Sequence, residues 1–192
     1  MNRSQMQTDV CQSQAIEGIR FDMASSLSKA HIAATDLAWE LATSKRWPDV
    51  CRLHAIMMSP SNLELPEIGQ WRTVSASVGS FREFDNHRHM PKASALPGLM
   101  HEWERICRLY LARVDELETD RELMADHLYY HFLCTHPFAD GNGRTGRLMR
   151  SAMRVMLGLS WGTITTYNHS THVRKLIEFE DNVFRPSFAQ LY

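Results

Sequence analysis

Apolar residues recur at three- and four-residue spacing along most of this 192-residue chain, and the recurrence fails over one long stretch only. Residues 28–45 carry Ile32, Leu37, Trp39 and Leu41 at helical spacing. Val50, Leu53, Ile56 and Met57 repeat the pattern, with Pro48 expected in the first turn of their helix. Three further helices are expected over 97–115, 120–135 and 143–157, and a last one over 170–183. From Ser59 to Pro97 the period is lost. Pro60, Pro66, Pro91, Pro97, Gly69 and Gly79 punctuate that stretch, and Trp71 to Val78 is strand-like, so it reads as loop plus a short β-hairpin. The expected fold is a compact all-α domain with one β excursion, without an internal repeat or a linker that divides it.

Charge and composition exclude several classes. Lys and Arg number 21 against 22 Asp and Glu, for a net charge of −1, which argues against a coat for nucleic acid. No run approaches the roughly 20 apolar residues of a membrane span. The start, MNRSQMQTDVCQSQ, lacks the apolar core of a secretory signal. Cys11, Cys51, Cys107 and Cys134 form no CxxC pair and read as reduced thiols of a cytoplasmic protein, three of them packed.

One segment is unlike the rest: His136-Pro-Phe-Ala-Asp-Gly-Asn-Gly-Arg-Thr-Gly-Arg147, between two helical patterns. Gly141, Asn142 and Gly143 suit a turn whose backbone N–H groups converge on an anion, and the helix starting near Gly143 adds its positive end. Arg144 and Arg147 share a face near that start and offer planar donor forks to phosphate oxygens. Asp140, at the edge of the turn, is a single carboxylate of the kind that holds Mg²⁺ against phosphate. Pro137 keeps His136 out of the helix, where its imidazole can take a proton from an attacking hydroxyl. The parts for phosphoryl-type transfer are therefore adjacent.

The segment resembles the Fic-domain motif, His-x-Phe-x-Asp/Glu-Gly-Asn-Gly-Arg-x-x-Arg, at every specified position. Such a match arises by chance on the order of 10⁻⁸ per chain from average residue usage. The resemblance implies a helical fold with a short β-hairpin flap and an adenylyltransferase that moves AMP from ATP onto a protein hydroxyl. It implies His136 as general base, Phe138 as core anchor, Asp140 as Mg²⁺ ligand, Gly141, Asn142 and Gly143 as phosphate cradle, and Arg144 and Arg147 as ligands of the β- and γ-phosphates. Gly143, where the phosphorylating branch carries Lys, favours AMP transfer. Residues 126–135 resemble the helix leading into the motif, and residues 69–79 and 90–100 the two sides of the flap. The flap, about residues 66–97, would dock a target segment as an added strand. The implied partners are a target protein on the flap and the chain itself as acceptor, with homo-oligomers open and neither nucleic acid nor membrane involved.

Ser13-Gln-Ala-Ile-Glu17-Gly18 resembles the family's inhibitory motif, Ser/Thr-x-x-x-Glu-Gly/Asn, in the class that carries it ahead of the domain. Ser13 and Glu17 lie on one helical face, and Gly18 can end the helix or allow a close approach. The implied role is competition: Glu17 pairs with Arg147 and displaces the γ-phosphate. This divides the chain into an N-terminal inhibitory segment, 1–25, and a Fic domain, 26–192, with its catalytic loop at 136–147. Two alternatives stand beside AMP transfer: removal of AMP, with Glu17 orienting water, and a catalytically silent nucleotide-binding module.

Beyond residue 158 the resemblance fades. Relatives carry an Asn-Arg pair and paired tyrosines near the adenine pocket, whereas this chain has HSTHVRKLIEFEDNVFR, with Arg174 and no Tyr pair. His127 and His131, four apart, lack a third ligand for zinc, and His131 is expected to pack beneath the motif loop. His87 and His89 are expected in solvent on the flap, and Arg150 and Arg154 on a solvated helix face.

Overall fold

The computed structural model describes residues 1–60, 67–78, 88–116 and 120–191. Eight α-helices are found among them: α1 (Arg3–Ile16), α2 (Ser26–Thr43), α3 (Val50–Met58), α4 (Leu96–Ala112), α5 (Arg121–Thr135), α6 (Asn142–Met156), α7 (His169–Phe179) and the short α8 (Arg185–Phe188). A two-stranded antiparallel sheet, β1 (Ser77–Val78) and β2 (Arg88–His89), lies between α3 and α4. No described helix is long and apolar enough to cross a membrane.

Helix α6 is the axis of the fold, although it carries four arginines. It packs against α2 and α5, with further contacts to α1 and α3, and nearly every residue from Asn142 to Arg154 is buried. Burying a guanidinium requires a paired acid or satisfied donors. Each arginine has an acid: Arg144 meets Asp140 at 3.2 Å, Arg147 meets Glu17 at 2.6 Å, Arg150 meets Asp126 at 2.6 Å and Arg154 meets Glu122 at 2.9 Å. The expected solvated face at Arg150 and Arg154 is therefore corrected. Those two side chains also donate to the carbonyls of Gly162 and Ser160, which folds the segment after α6 back along the helix.

The main core lies between α2, α3, α4, α5 and α6, around Leu53, Met57, Trp103, Phe132, Phe138 and Met149. Phe138, from the motif loop, is fully buried there and ties the loop to the core. Helix boundaries fall close to the periodic runs, and four details of helix and strand differ. Asp49 caps α3 by accepting from the Cys51 and Arg52 amides, which leaves Pro48 ahead of the cap. The second strand sits at Arg88–His89, so residues 90–100 hold mostly turn and helix. Trp71 to Ala76 joins no strand, because the Arg72 amide bonds to the Pro137 carbonyl at 2.8 Å instead. The last helix leaves α geometry at Glu180 for one π turn, Glu180–Phe184, before α8. Cys107 and Cys134 are buried, while Cys11 and Cys51 are partly exposed, so two cysteines rather than three are packed away. The parts of the expected flap at 66 and 79–87, His87 among them, lie outside the described residues; His89 is exposed.

Helix α1 begins with a reciprocal cap between Asn2 and Gln5. It buries Met6, Val10, Ser13 and Gln14, spaced three or four apart, against the body of the fold. Its end is a Schellman motif: the Gly18 amide donates to Ala15 and the Ile19 amide to Gln14, at 3.0 and 2.9 Å. Gly18 has φ 70° and nothing within 4 Å of where a Cβ would lie, so it ends the helix and does not serve a close approach.

Candidate active site

The motif loop joins α5 to α6 through two left-handed residues. His136 caps α5 with φ 49° and ψ 59°, and Gly141 precedes α6 with φ 75°. A Cβ on Gly141 would meet Met58 Sδ at 2.8 Å and His54 Nε2 at 3.2 Å, so the turn demands glycine. Asn142 closes the loop: its Oδ1 accepts from the Phe138 amide at 2.9 Å, and its Nδ2 donates to the Phe138 carbonyl at 2.7 Å. The Asn142 side chain is thus turned back onto the loop, and its main-chain N–H is in the first turn of α6. No side chain caps the start of α6, so its first-turn N–H groups keep their capacity for an anion.

Two residues not singled out in the sequence hold this loop. The His54 ring stacks on Phe138 at 3.7 Å between centroids. Its Nδ1 accepts from the Gly69 amide at 2.9 Å, and its Nε2 faces the Asp140 carbonyl at 3.0 Å. An amide only donates and a carbonyl only accepts, so His54 is the neutral tautomer with the proton on Nε2. His54, rather than His131, is thus the histidine beneath the loop; His131 packs on Phe184 and Phe188 with its Nε2 unpartnered. Arg72, 4% exposed, donates from Nε to the His136 carbonyl at 2.8 Å and from its two terminal nitrogens to Val74 and Pro91. It pins the flap base to the residue that begins the motif.

A cavity of about 250 Å³ opens over the loop. Glu17, His136, Gly143, Arg147 and His169 line it together with Tyr129, Leu133, His172, Val173, Leu176 and Ile177. The structure thus brings Ser13 and Glu17 onto Arg147 and Gly143, in the cavity that His136 also lines, whereas Asp140, Gly141, Asn142 and Arg144 do not line it. Arg147 donates from Nε to Ser13 Oγ and from Nη2 to the Ser13 carbonyl, both at 3.0 Å, and from Nη2 to Glu17 Oε1 at 2.6 Å. A Cβ on Gly143 would collide with Glu17 Oε1, so the Glu17 carboxylate lies directly against the first turn of α6. An acid placed at a helix start beside an arginine occupies the position that suits phosphate.

Burial, with Arg72 beside it, lowers the His136 pKa to about 4. The ring is therefore neutral near pH 7. Asp140 is the exposed acid of the loop. Its side chain is 58% accessible, with Oδ1 on the Gly141 amide and Oδ2 on Arg144. One oriented, solvent-facing carboxylate beside a phosphate site fits Mg²⁺, which takes its other ligands from water and phosphate. Arg174 is exposed and does not line this cavity. The aromatic wall of the cavity comes from α5: Tyr129 lines it, and the Tyr130 hydroxyl holds His172 Nδ1 at 2.9 Å.

The molecule is a helical domain built on a buried, uncapped helix start, with a neutral histidine beside it and a strand flap. The Fic/DOC family profile matches residues 47–153, more than half of the chain, and the chain belongs to that family. Members generally transfer nucleotide monophosphates to proteins or hydrolyse such modifications, and typically bind nucleotide and a metal. Similar folds are a Fic domain containing signaling protein from Bacteroides thetaiotaomicron VPI-5482, with a TM-score of 0.74, 18% identity and coverage of 92% of this chain and 72% of that one. Fic-1 (residues 134–508) from C. elegans gives 0.66 and 19%, covering 97% and 58%. A Fic family protein from Desulfovibrio desulfuricans G20 gives 0.58 and 18%, covering 92% and 55%. This chain therefore spans little more than half of the last two structures. At these identities the likeness is one of fold. No curated protein sequence gives a significant match.

Proposed function

We propose that the protein is a Mg²⁺-dependent protein adenylyltransferase that moves AMP from ATP to a Ser, Thr or Tyr hydroxyl of a target protein, and to itself, and that Glu17 holds it inactive. The observation that carries this reading is the shared cavity, in which the neutral His136, the uncapped start of α6 and Arg147 converge and Glu17 is seated on the last two.

His136 accepts the proton of the target hydroxyl. The hydroxyl oxygen forms a bond to the α-phosphorus of ATP, the bond to the bridging oxygen breaks in line, and pyrophosphate leaves. Asp140 would hold Mg²⁺, which neutralises polyphosphate charge when bound. Arg144, Arg147 and the amides of Asn142 and Gly143 orient the phosphates. With Glu17 on Arg147 the γ-phosphate loses its guanidinium and the α-phosphate is out of line.

Hydrolytic removal of AMP is a second reading, favoured by one observation: the Glu17 carboxylate lines the same cavity as His136 and can orient water there. The two readings have opposite mutant signatures. Glu17→Gly is incubated with ATP labelled at the α- or the γ-phosphate. AMP transfer puts α-label and no γ-label on protein. The hydrolytic reading leaves this variant inactive, with wild type clearing AMP from a modified acceptor. Nucleotide binding without pyrophosphate release under any Glu17 substitution identifies a silent module.

A further inference from the structure

The flap is a small device. Its described ladder pairs Ser77 with His89 and Val78 with Arg88 and no more, and a two-stranded ribbon of that size does not set its own orientation in water. Arg72 fixes the first arm to the motif loop. The second strand is held by a separate cluster, whose Arg88 and Glu180 line the same cavity. Arg88, in β2, donates from Nη1 to Glu180 Oε2 at 2.8 Å and to Asp181 Oδ1 at 2.9 Å, with Nη2 at 3.3 Å from Asp181 Oδ2. Arg185 meets the other Glu180 oxygen at 2.7 Å and reaches the His89 carbonyl at 3.3 Å. Glu180 is 4% exposed, so both of its oxygens are engaged by guanidinium groups inside the fold.

The backbone explains how one carboxylate serves two arginines. Helix α7 turns His169, His172, Val173, Leu176 and Ile177 to the cavity, and Glu180 continues that face one turn on. In an α-helix a residue five further on lies about 140° round the axis and could not return to Glu180. The π turn Glu180–Phe184 widens the helix and brings Arg185 alongside. Without that turn Glu180 would be a buried acid with one partner, and the His89 carbonyl would lose its contact.

We propose that Glu180 is a positioning residue, which with Arg88, Asp181 and Arg185 fixes β2 over His136 and so sets the strand edge that receives the target segment. This rests on the transferase reading above. The cluster acts on acceptor alignment. In the transferase reading the nucleotide phosphates are held by the start of α6 and its arginines, which share no hydrogen bond with this cluster.

The test uses the full chain with Glu17→Gly and adds Arg185→Ala or Glu180→Gln. Neither Arg185 nor Asp181 lines the cavity, so Asp181→Ala is a milder companion. Hydrogen exchange is read at the Met90 amide, which bonds to the Ala76 carbonyl. ATP affinity is read by calorimetry. Transfer of α-label is read with a His136→Ala copy as acceptor at varied concentration. Loss of a charge-assisted hydrogen bond predicts about tenfold faster exchange and about tenfold higher acceptor KM, with ATP affinity for Arg185→Ala within about twofold. Arg88→Ala with Glu180→Gln should cost less than the sum of the two single changes, because both break the same Arg88–Glu180 bond. Unchanged exchange and KM, or ATP affinity falling as far as acceptor KM rises, overturns the proposal. If Glu17→Gly transfers no label at all, the transferase reading falls by itself, and exchange at Met90 still decides whether Glu180 orients the flap.

Discussion

Replacing Glu17 by Gly should tighten ATP selectively over AMP. The bond lost is a charge-assisted one, Glu17 Oε1 to Arg147 Nη2 at 2.6 Å, with side-chain exposures of 35% and 6%. Such bonds contribute about 1.5–3 kcal/mol. Solvent reaches the glutamate, so the lower end applies, about 1.5 kcal/mol. That corresponds to about tenfold in affinity for a ligand whose γ-phosphate replaces the carboxylate. Arg147 stays oriented in the variant, because its bonds to Ser13 Oγ and the Ser13 carbonyl do not involve Glu17. Calorimetry with ATP, ADP and AMP, in a His136→Ala background that prevents turnover, gives the number. ATP should gain about tenfold and AMP less than about twofold. Glu17→Gln, which keeps the shape and removes the charge, should give most of the same gain. Equal gains for ATP and AMP would refute competition for the γ-phosphate and leave Glu17 as a plain steric plug.

Three further outcomes are expected. Asn142→Ala leaves the buried Phe138 amide and carbonyl without partners, and should destabilise the fold by about 2–4 kcal/mol in urea unfolding; a loss under about 1 kcal/mol would show that the loop closes without it. Burial lowers the His31 pKa from 6.5 to about 3 and the His131 pKa to about 4. A folded-state pKa below the unfolded value gives stability that is full above about pH 6.5 and is lost as the pH falls toward 4, at about 1.4 kcal/mol per pH unit for each ring. A urea midpoint that is flat between about pH 7 and pH 5 would contradict this. With the His136 pKa lowered to about 4, the acid limb of the transfer rate should begin below about pH 5; a limb centred near pH 6.5 would mean that the ring is solvated in the working enzyme.

The helices were legible because burial on one face leaves a period, and the motif was legible because a phosphate cradle needs glycines and arginines in fixed order. The supports of the site were not. His54 lies on the apolar face of α3 beside Leu53 and Met57, and nothing in that pattern says that it stacks on Phe138, 84 positions away. Arg72 bonds only to carbonyls, which every residue has, so its partners leave no mark in the sequence. Arg150 and Arg154 read as solvated because helical spacing gives the face and not what covers it; Asp126 and Glu122, from α5, cover it. The second flap strand, Arg88–His89, lies ahead of the residues 90–100 that resemble the flap, because a two-residue pairing leaves no alternation to read. The π turn at Glu180 has no periodic signature, since one extra residue in a helix end is indistinguishable from a helix one residue longer.

The measurement that bears most directly on the account is α-label retained on protein after incubation of wild type, Glu17→Gly and Glu17→Gly with His136→Ala in ATP and Mg²⁺. The account predicts faint label on wild type, strong label on Glu17→Gly and none on the double variant. Label on the double variant at the Glu17→Gly level would remove His136 as the base. A Glu17→Gly protein that binds ATP and carries no more label than wild type would contradict the inhibitory role of Glu17.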